Sequence, residues 1–297
     1  SGNKNFFSTF RLAIRMKETV DYNLLSHCAA QAMVRYPYFC VRPAREGETL
    51  VLRYNDQPLP IFPDDRTVTL GSEESRGHLI SFGCKDNTIF IDCSHYIADG
   101  MGIDPLMKSL LWLYVSERYG TEGLETNRIR MPDSPVCDEE HAYPFPDRVI
   151  EAEDIDIIPE SPKEAYGLER EAFDKDGFYA YHLHIPQRAM MAKASSSDGS
   201  PVSFLSVLLY RAFHRLDQNI DKPVVAHVQH QYRAALRTPM SHHSLVSYIP
   251  VVLAPRLNKW DVEKQNTVVR GQVILKGGYE ADIAAVNRLI EAFPSEA

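Results

Sequence analysis

Apolar residues recur along this chain at two periods, and the change from one to the other marks its elements. Phe10-Arg11-Leu12-Ala13-Ile14-Arg15-Met16 alternates, which predicts a strand with Phe10, Leu12, Ile14 and Met16 on its core face. A helix follows: Asp21 is placed to cap it, Leu24, Leu25, Cys28, Ala32, Met33 and Tyr36 form its buried stripe, and Pro37 stops it. Thr49 to Tyr54 predicts a further strand, and Pro58 to Pro63 a loop. Leu79 to Phe82 predicts a strand that pairs with Thr88 to Cys93 through a Gly-Cys-Lys-Asp-Asn turn.

The pattern changes most sharply between Thr88 and Tyr114. Thr88 to Cys93 is β-branched and aromatic, as a pleated, half-buried strand requires. From Ile103 onward Leu106, Met107, Leu110, Leu111 and Tyr114 recur at spacings of three and four, one face of a helix. Between them Asp99-Gly100-Met101-Gly102 is the hinge, because Asp and Gly tolerate turns and a carboxylate just before a helix accepts from its free N–H groups. His95 stands at the end of the strand, held by rigid elements. An imidazole there can remove a proton from a nucleophile and later return it. The plainer alternative is a histidine hydrogen-bonded within a packed turn. Cys93, two residues earlier on the same strand face, reads as a nucleophile or, preferably, as core filler.

After Tyr119-Gly120 regularity fails, and Thr121 to Pro162, with six prolines among many acids, is expected to be a linker, either a plain connector or a cover for a substrate channel. The second half restarts with an alternating strand, Phe178 to Ile185. Ser203 to Leu216 is predicted as a helix that buries Phe204, Leu205, Leu208, Leu209, Ala212, Phe213 and Leu216. Val224 to Gln231 and Ser244 to Leu253 are expected strands, and Asp282 to Phe293 a helix. His242-His243 suggests a metal pair, but neighbours on a strand face opposite ways and no acidic partner completes a set. A surface loop is the expectation, with no metal.

Composition narrows the class. The chain of 297 residues is 44% hydrophobic, enough for a sizeable core, and its net charge of -8 argues against non-specific nucleic-acid binding. No apolar run reaches the ~18 residues of a membrane helix, so a cytoplasmic protein is expected. Five scattered cysteines suit neither a disulfide framework nor zinc. P-loop, dinucleotide-binding and GxSxG patterns are absent from the sequence.

His95-Tyr96-Ile97-Ala98-Asp99-Gly100, read as HxxxDG, resembles the signature of the CoA-dependent acyltransferase superfamily, which includes chloramphenicol acetyltransferases, alcohol acetyltransferases and the condensation domains of nonribosomal peptide synthetases. The opening order of strand, helix and Arg35-Tyr36-Pro37 is similar to theirs, and Arg233 with the Ser244 to Leu253 strand matches their second lobe. Many relatives carry a further histidine where this chain has Ser94, which points away from a typical condensation domain. The resemblance implies an α/β sandwich of two chloramphenicol acetyltransferase-like lobes: residues 1–120 with the motif, a crossover linker at 121–162, and a partial second lobe at 163–297. It implies His95 as general base where the lobes meet. Asp99 would be structural, turned toward an arginine such as Arg11, Arg15 or Arg35, and Gly100 would permit the tight exit.

The implied reaction moves an acetyl or other short acyl group from acyl-CoA, a co-substrate and not a resident cofactor, to the hydroxyl or amine of a small molecule. Two alternatives stay open: a condensation-type domain that uses a carrier-protein thioester, and a catalytically silent binding or scaffold domain of the same fold. The second half supplies fewer strands than the first. A partner copy or further C-terminal chain is therefore expected to complete the site.

Overall fold

Alternation from Thr9 does build a strand, and the first half folds around it. In chain order come β1 (Thr9–Arg15), α1 (Tyr22–Arg35), β2 (Val41–Glu46), β3 (Thr49–Tyr54), β4 (Ile61–Phe62), β5 (Ile80–Lys85), β6 (Thr88–Ser94), α2 (Gly100–Tyr119) and α3 (Asp138–His141). The computed structural model describes residues 9–47, 49–146, 150, 161–167 and 183–292. Its chain divides into two units, one of residues 1–144 with 238–245 and the other of residues 145–237 with 246–297.

The first unit holds a mixed sheet in the order β1-β6-β5-β4, with β1, β6 and β5 antiparallel and β4 parallel to β5. Residues directly opposite share a face, so the pairs Ile91–Phe82, Cys93–Ile80 and Ile89–Cys84 point the same way. They join Leu25, Cys28, Ala29 and Ala32 of α1 and Ile103, Leu106 and Leu110 of α2 in one buried core. Asp21 starts α1 as expected, its carboxylate accepting from the N–H groups of Asn23 and Leu24. On the sheet's other face Arg11 grips Asp92, its cross-strand partner, through two bonds of 2.7 Å. The β5–β6 turn is tighter than the sequence suggested. The ladder runs on to Lys85–Thr88, leaving Asp86-Asn87 as a two-residue turn with Asp86 at φ 50°.

Three elements of the first unit escaped the pattern. Within Pro58 to Pro63, expected to be loop, Ile61–Phe62 forms β4 because Phe82 and Gly83 of β5 pair with it. β2, which carries Pro43 and three charged residues, forms only because β3 supplies its hydrogen-bonding partner. Within the stretch read as a linker, Asp138–His141 makes one helical turn, and its Glu140 is 1% exposed.

The second unit contains α4 (Gln187–Ser196), α5 (Pro201–Leu216), β7 (Val224–Gln231), α6 (Arg233–Leu236), β8 (Val246–Leu253), α7 (Val262–Lys276) and α8 (Tyr279–Ala292). β7 and β8 form an antiparallel pair, and Val207, Tyr210, Ile249, Val251, Leu253 and Val269 pack together beside it. The expected α5 lies where the period places it, but on a different face. Phe204, Val207 and Tyr210 are buried, whereas Leu205, Leu208, Leu209 and Leu216 are 41–79% exposed. The leucine period therefore does not select the inner face, which carries Ser203 and Ser206 beside Phe204, Val207 and Tyr210. Tyr210 helps select it, because its hydroxyl donates 3.0 Å to the Ala254 carbonyl. Of the expected strand Phe178 to Ile185, residues 178–182 lie outside the described residues, and 183–185 carry no regular structure.

Glu140 ties the first unit together across more than a hundred residues of chain. Arg35 donates to both of its oxygens at 3.0 and 2.6 Å, Arg130 at 2.9 Å and the Tyr38 hydroxyl at 2.7 Å. Burial alone would raise this carboxyl. The bonds from Arg35, Tyr38 and the Cys137 backbone, with the charge of Arg130, outweigh it and hold the group at about 2 against an ordinary 4.5. A group depressed on folding stabilises above its unfolded value, so this contribution is full above about pH 4.5 and is lost as pH falls toward 2. Glu140→Gln leaves the 3%-exposed Arg35 without its counter-charge. The expected cost in urea unfolding at pH 7 is about 3–5 kcal/mol, with a shallower fall in stability between pH 4.5 and 3 than in the parent chain. Unchanged stability with an unchanged acid limb would show that the pair contributes nothing.

Candidate functional site

Strand β6 ends at Ser94, and the chain then folds into a tight turn. The Ser94 carbonyl accepts from Ile97 N–H at 3.0 Å and Ala98 N–H at 3.3 Å, while its hydroxyl accepts from Tyr96 N–H at 3.3 Å. Ser94, Ile97 and Ala98 are buried, Tyr96 is exposed, and His95 lies between these extremes. The imidazole rests against the Phe10 ring, with centroids 4.6 Å apart and planes at 40°. The turn therefore presents a half-exposed imidazole from a backbone whose neighbouring residues are packed. That placement leaves it able to exchange a proton with a bound molecule.

Asp99 closes the turn. It is completely buried and is the N-cap of α2, its Oδ1 accepting from Met101 N–H at 3.0 Å and Gly102 N–H at 2.8 Å. Its Oδ2 accepts from Leu245 N–H at 3.0 Å, a residue 146 positions further along the chain. Of the arginines suggested for it, Arg11 is engaged by Asp92 and Arg35 by Glu140, while Arg15 is exposed. The expectation that Gly100 permits the exit needs correction. A Cβ at Gly100 would meet nothing within 4 Å, whereas one at Gly102 would collide with the His242 carbonyl. Glycine is required at Gly102, by the close approach of another stretch of backbone.

That stretch is residues 238–245, which belong to the first unit although the chain on either side belongs to the second. His242, expected in a surface loop, is 6% exposed. Its ring stacks on Tyr38 with centroids 4.4 Å apart and planes at 8°, and its Nδ1 lies 2.7 Å from the Ile97 carbonyl. A carbonyl only accepts, so Nδ1 carries the proton and donates. Burial, with the neighbouring His243, lowers this imidazole to about 4, so it is neutral near pH 7. No group of three or more histidine, cysteine or acidic side chains is arranged to hold a metal among the described residues. Cys93 is 1% exposed, and burial pushes its thiol far above the ordinary value, which leaves it a core side chain. Arg233 is 6% exposed at the start of α6. The sequence signals for Glu140, His242 and Gly102 were weak: isolated residues in irregular stretches, meaningful only once brought together.

No family model and no curated protein matches the sequence. Solved structures do match. SgcC5 from Streptomyces globisporus is 16% identical with a TM-score of 0.55, the match covering 99% of this chain and 73% of that one. The first condensation domain of the CDA synthetase is 14% identical with a TM-score of 0.58, covering 93% and 70%. F. graminearum TRI101, complexed with coenzyme A and T-2 mycotoxin, is 10% identical with a TM-score of 0.56, covering 95% and 74%. At such identities the likeness establishes the fold: a mixed α/β arrangement shared with condensation domains, as the sequence led us to expect.

The two glycines beside Asp99 separate by substitution. Gly102→Ala should cost about 1–3 kcal/mol, because either α2 or the backbone of His242 must move. Gly100→Ala should be neutral or stabilising by up to about 1 kcal/mol, since the methyl enters open space in a helical turn. Thermal melts of the two variants decide this, and equal destabilisation would remove the close-approach explanation.

Proposed function

We propose that this protein transfers an acyl group from a thioester to a hydroxyl or amine, with His95 as the general base. The observation that carries this reading is the half-exposed His95 imidazole, set on Phe10 and presented by a turn that Asp99 closes. The fold shared with condensation domains and with TRI101 supports it. Asp99 serves the site structurally, because its carboxylate is taken up by backbone N–H groups.

In the proposed step the acceptor O–H or N–H gives its proton to His95 as the heteroatom attacks the thioester carbonyl. The tetrahedral intermediate then expels thiolate, and the His95 imidazolium returns the proton to the leaving sulfur. Acyl-CoA is the first donor to test, because TRI101 was obtained with coenzyme A bound. A carrier-bound thioester is the second reading, favoured by the condensation-domain likeness. The acceptor class is a small alcohol or amine.

The test follows free thiol released from acetyl-CoA and longer acyl-CoA thioesters, with and without a panel of small alcohols and amines. Release that depends on an acceptor is expected, and His95→Ala should lower it by roughly 10²–10⁴-fold while the melting temperature stays within a few degrees. Full turnover in His95→Ala would remove the base from the mechanism. Tight thioester binding with no acceptor-dependent release would instead favour a silent binding domain.

A further inference from the structure

We propose that His242 is a positioning residue that sets the His95 turn through its hydrogen bond to the Ile97 carbonyl. The inference rests on the reading of His95 as the base, but the contact itself is independent of any substrate. Ile97 lies in the middle of the turn from His95 to Asp99, and both it and Ala98 are buried, so its carbonyl needs a partner within the protein. His242 Nδ1–H supplies that partner at 2.7 Å. The same short segment holds the end of the turn as well, because Leu245 N–H donates to Asp99 Oδ2. Residues 242–245 therefore grip the turn at its middle and at its end.

The donor is itself held in place from several sides. Its ring stacks on Tyr38, meets the edge of Phe39 at 5.2 Å and lies 4.2 Å from the His243 ring. Its backbone N–H donates 2.9 Å to the Glu140 carbonyl, and Tyr38 donates to the Glu140 carboxylate that Arg35 and Arg130 neutralise. A buried ion network thus fixes an aromatic shelf, the shelf fixes an imidazole, and the imidazole fixes the turn that carries His95. Small displacements of a reacting group cost large factors in rate, which is why a base on a turn benefits from such support. His242 touches neither substrate nor the reacting atoms in this scheme. Its contribution falls on kcat.

His242→Phe keeps a stacking ring and removes the donor, whereas His242→Asn returns an N–H near the position of Nδ1. In His242→Phe, amide exchange at Ile97 and Ala98 should accelerate by roughly tenfold, the factor one net hydrogen bond supplies, while the amides of Leu106 and Leu110 within α2 stay protected. With a thioester and an acceptor that the parent chain turns over, kcat should fall by roughly ten- to a hundredfold with KM held within about twofold. His242→Asn should recover most of both effects. Unchanged exchange at Ile97 and Ala98 in a folded His242→Phe, or equal loosening in both variants, would overturn the proposal. Nitrogen-15 NMR of the unaltered protein gives a reading that needs no variant: His242 is expected as the Nδ1–H tautomer at pH 7, and the Nε2–H tautomer would overturn it. Altered exchange in a chain that turns over no thioester would sink the acyl-transfer reading alone and leave the positioning contact standing.

Discussion

The buried carboxylate of Asp99 is the contact on which the candidate site depends. One of its oxygens accepts the free N–H groups of the first turn of α2, and the other accepts a backbone N–H from a segment 146 residues further on. A wholly buried carboxylate is costly unless its lone pairs find donors, and these bonds supply three of them at the positive end of a 20-residue helix. The geometry of α2, the exit from β6 and the docking of residues 238–245 are therefore parts of one arrangement. His95 lies inside that arrangement, its ring resting on Phe10.

Behind the turn lies a second buried charge with a different balance. Glu140 and Arg35, 1% and 3% exposed, bond through two contacts, with Arg130 and Tyr38 completing the carboxylate's coordination. Such pairs add little net stability compared with an apolar replacement, since desolvation offsets most of the attraction, but losing one partner is severe. What the pair adds is placement. It determines where Tyr38 stands, and Tyr38 determines where the His242 ring lies. A residue with no visible role in the sequence thus orders the far side of the candidate site.

The second unit shows the limit of patterning from the other side. The leucines that make α5 read as a strong core helix are those left exposed. Small residues at Ser203 and Ser206 lie on the buried face instead, beside Phe204, Val207 and Tyr210.

The sequence by itself determined most of the first unit's regular elements. Strand β3 lies at Thr49–Tyr54 as its composition indicated, Asp21 caps α1, Pro37 ends it, and β6 delivers His95 to a turn before α2. These are local properties: period, cap and breaker act between residues a few positions apart. Tertiary structure alone decided the rest. β2 required β3, the inner face of α5 required its sheet, and Glu140, Gly102 and His242 acquired roles only when more than a hundred residues of intervening chain brought them to Arg35, to the backbone of His242 and to Ile97. No local pattern encodes such meetings, because their free energy comes from burying and pairing groups that are strangers along the chain.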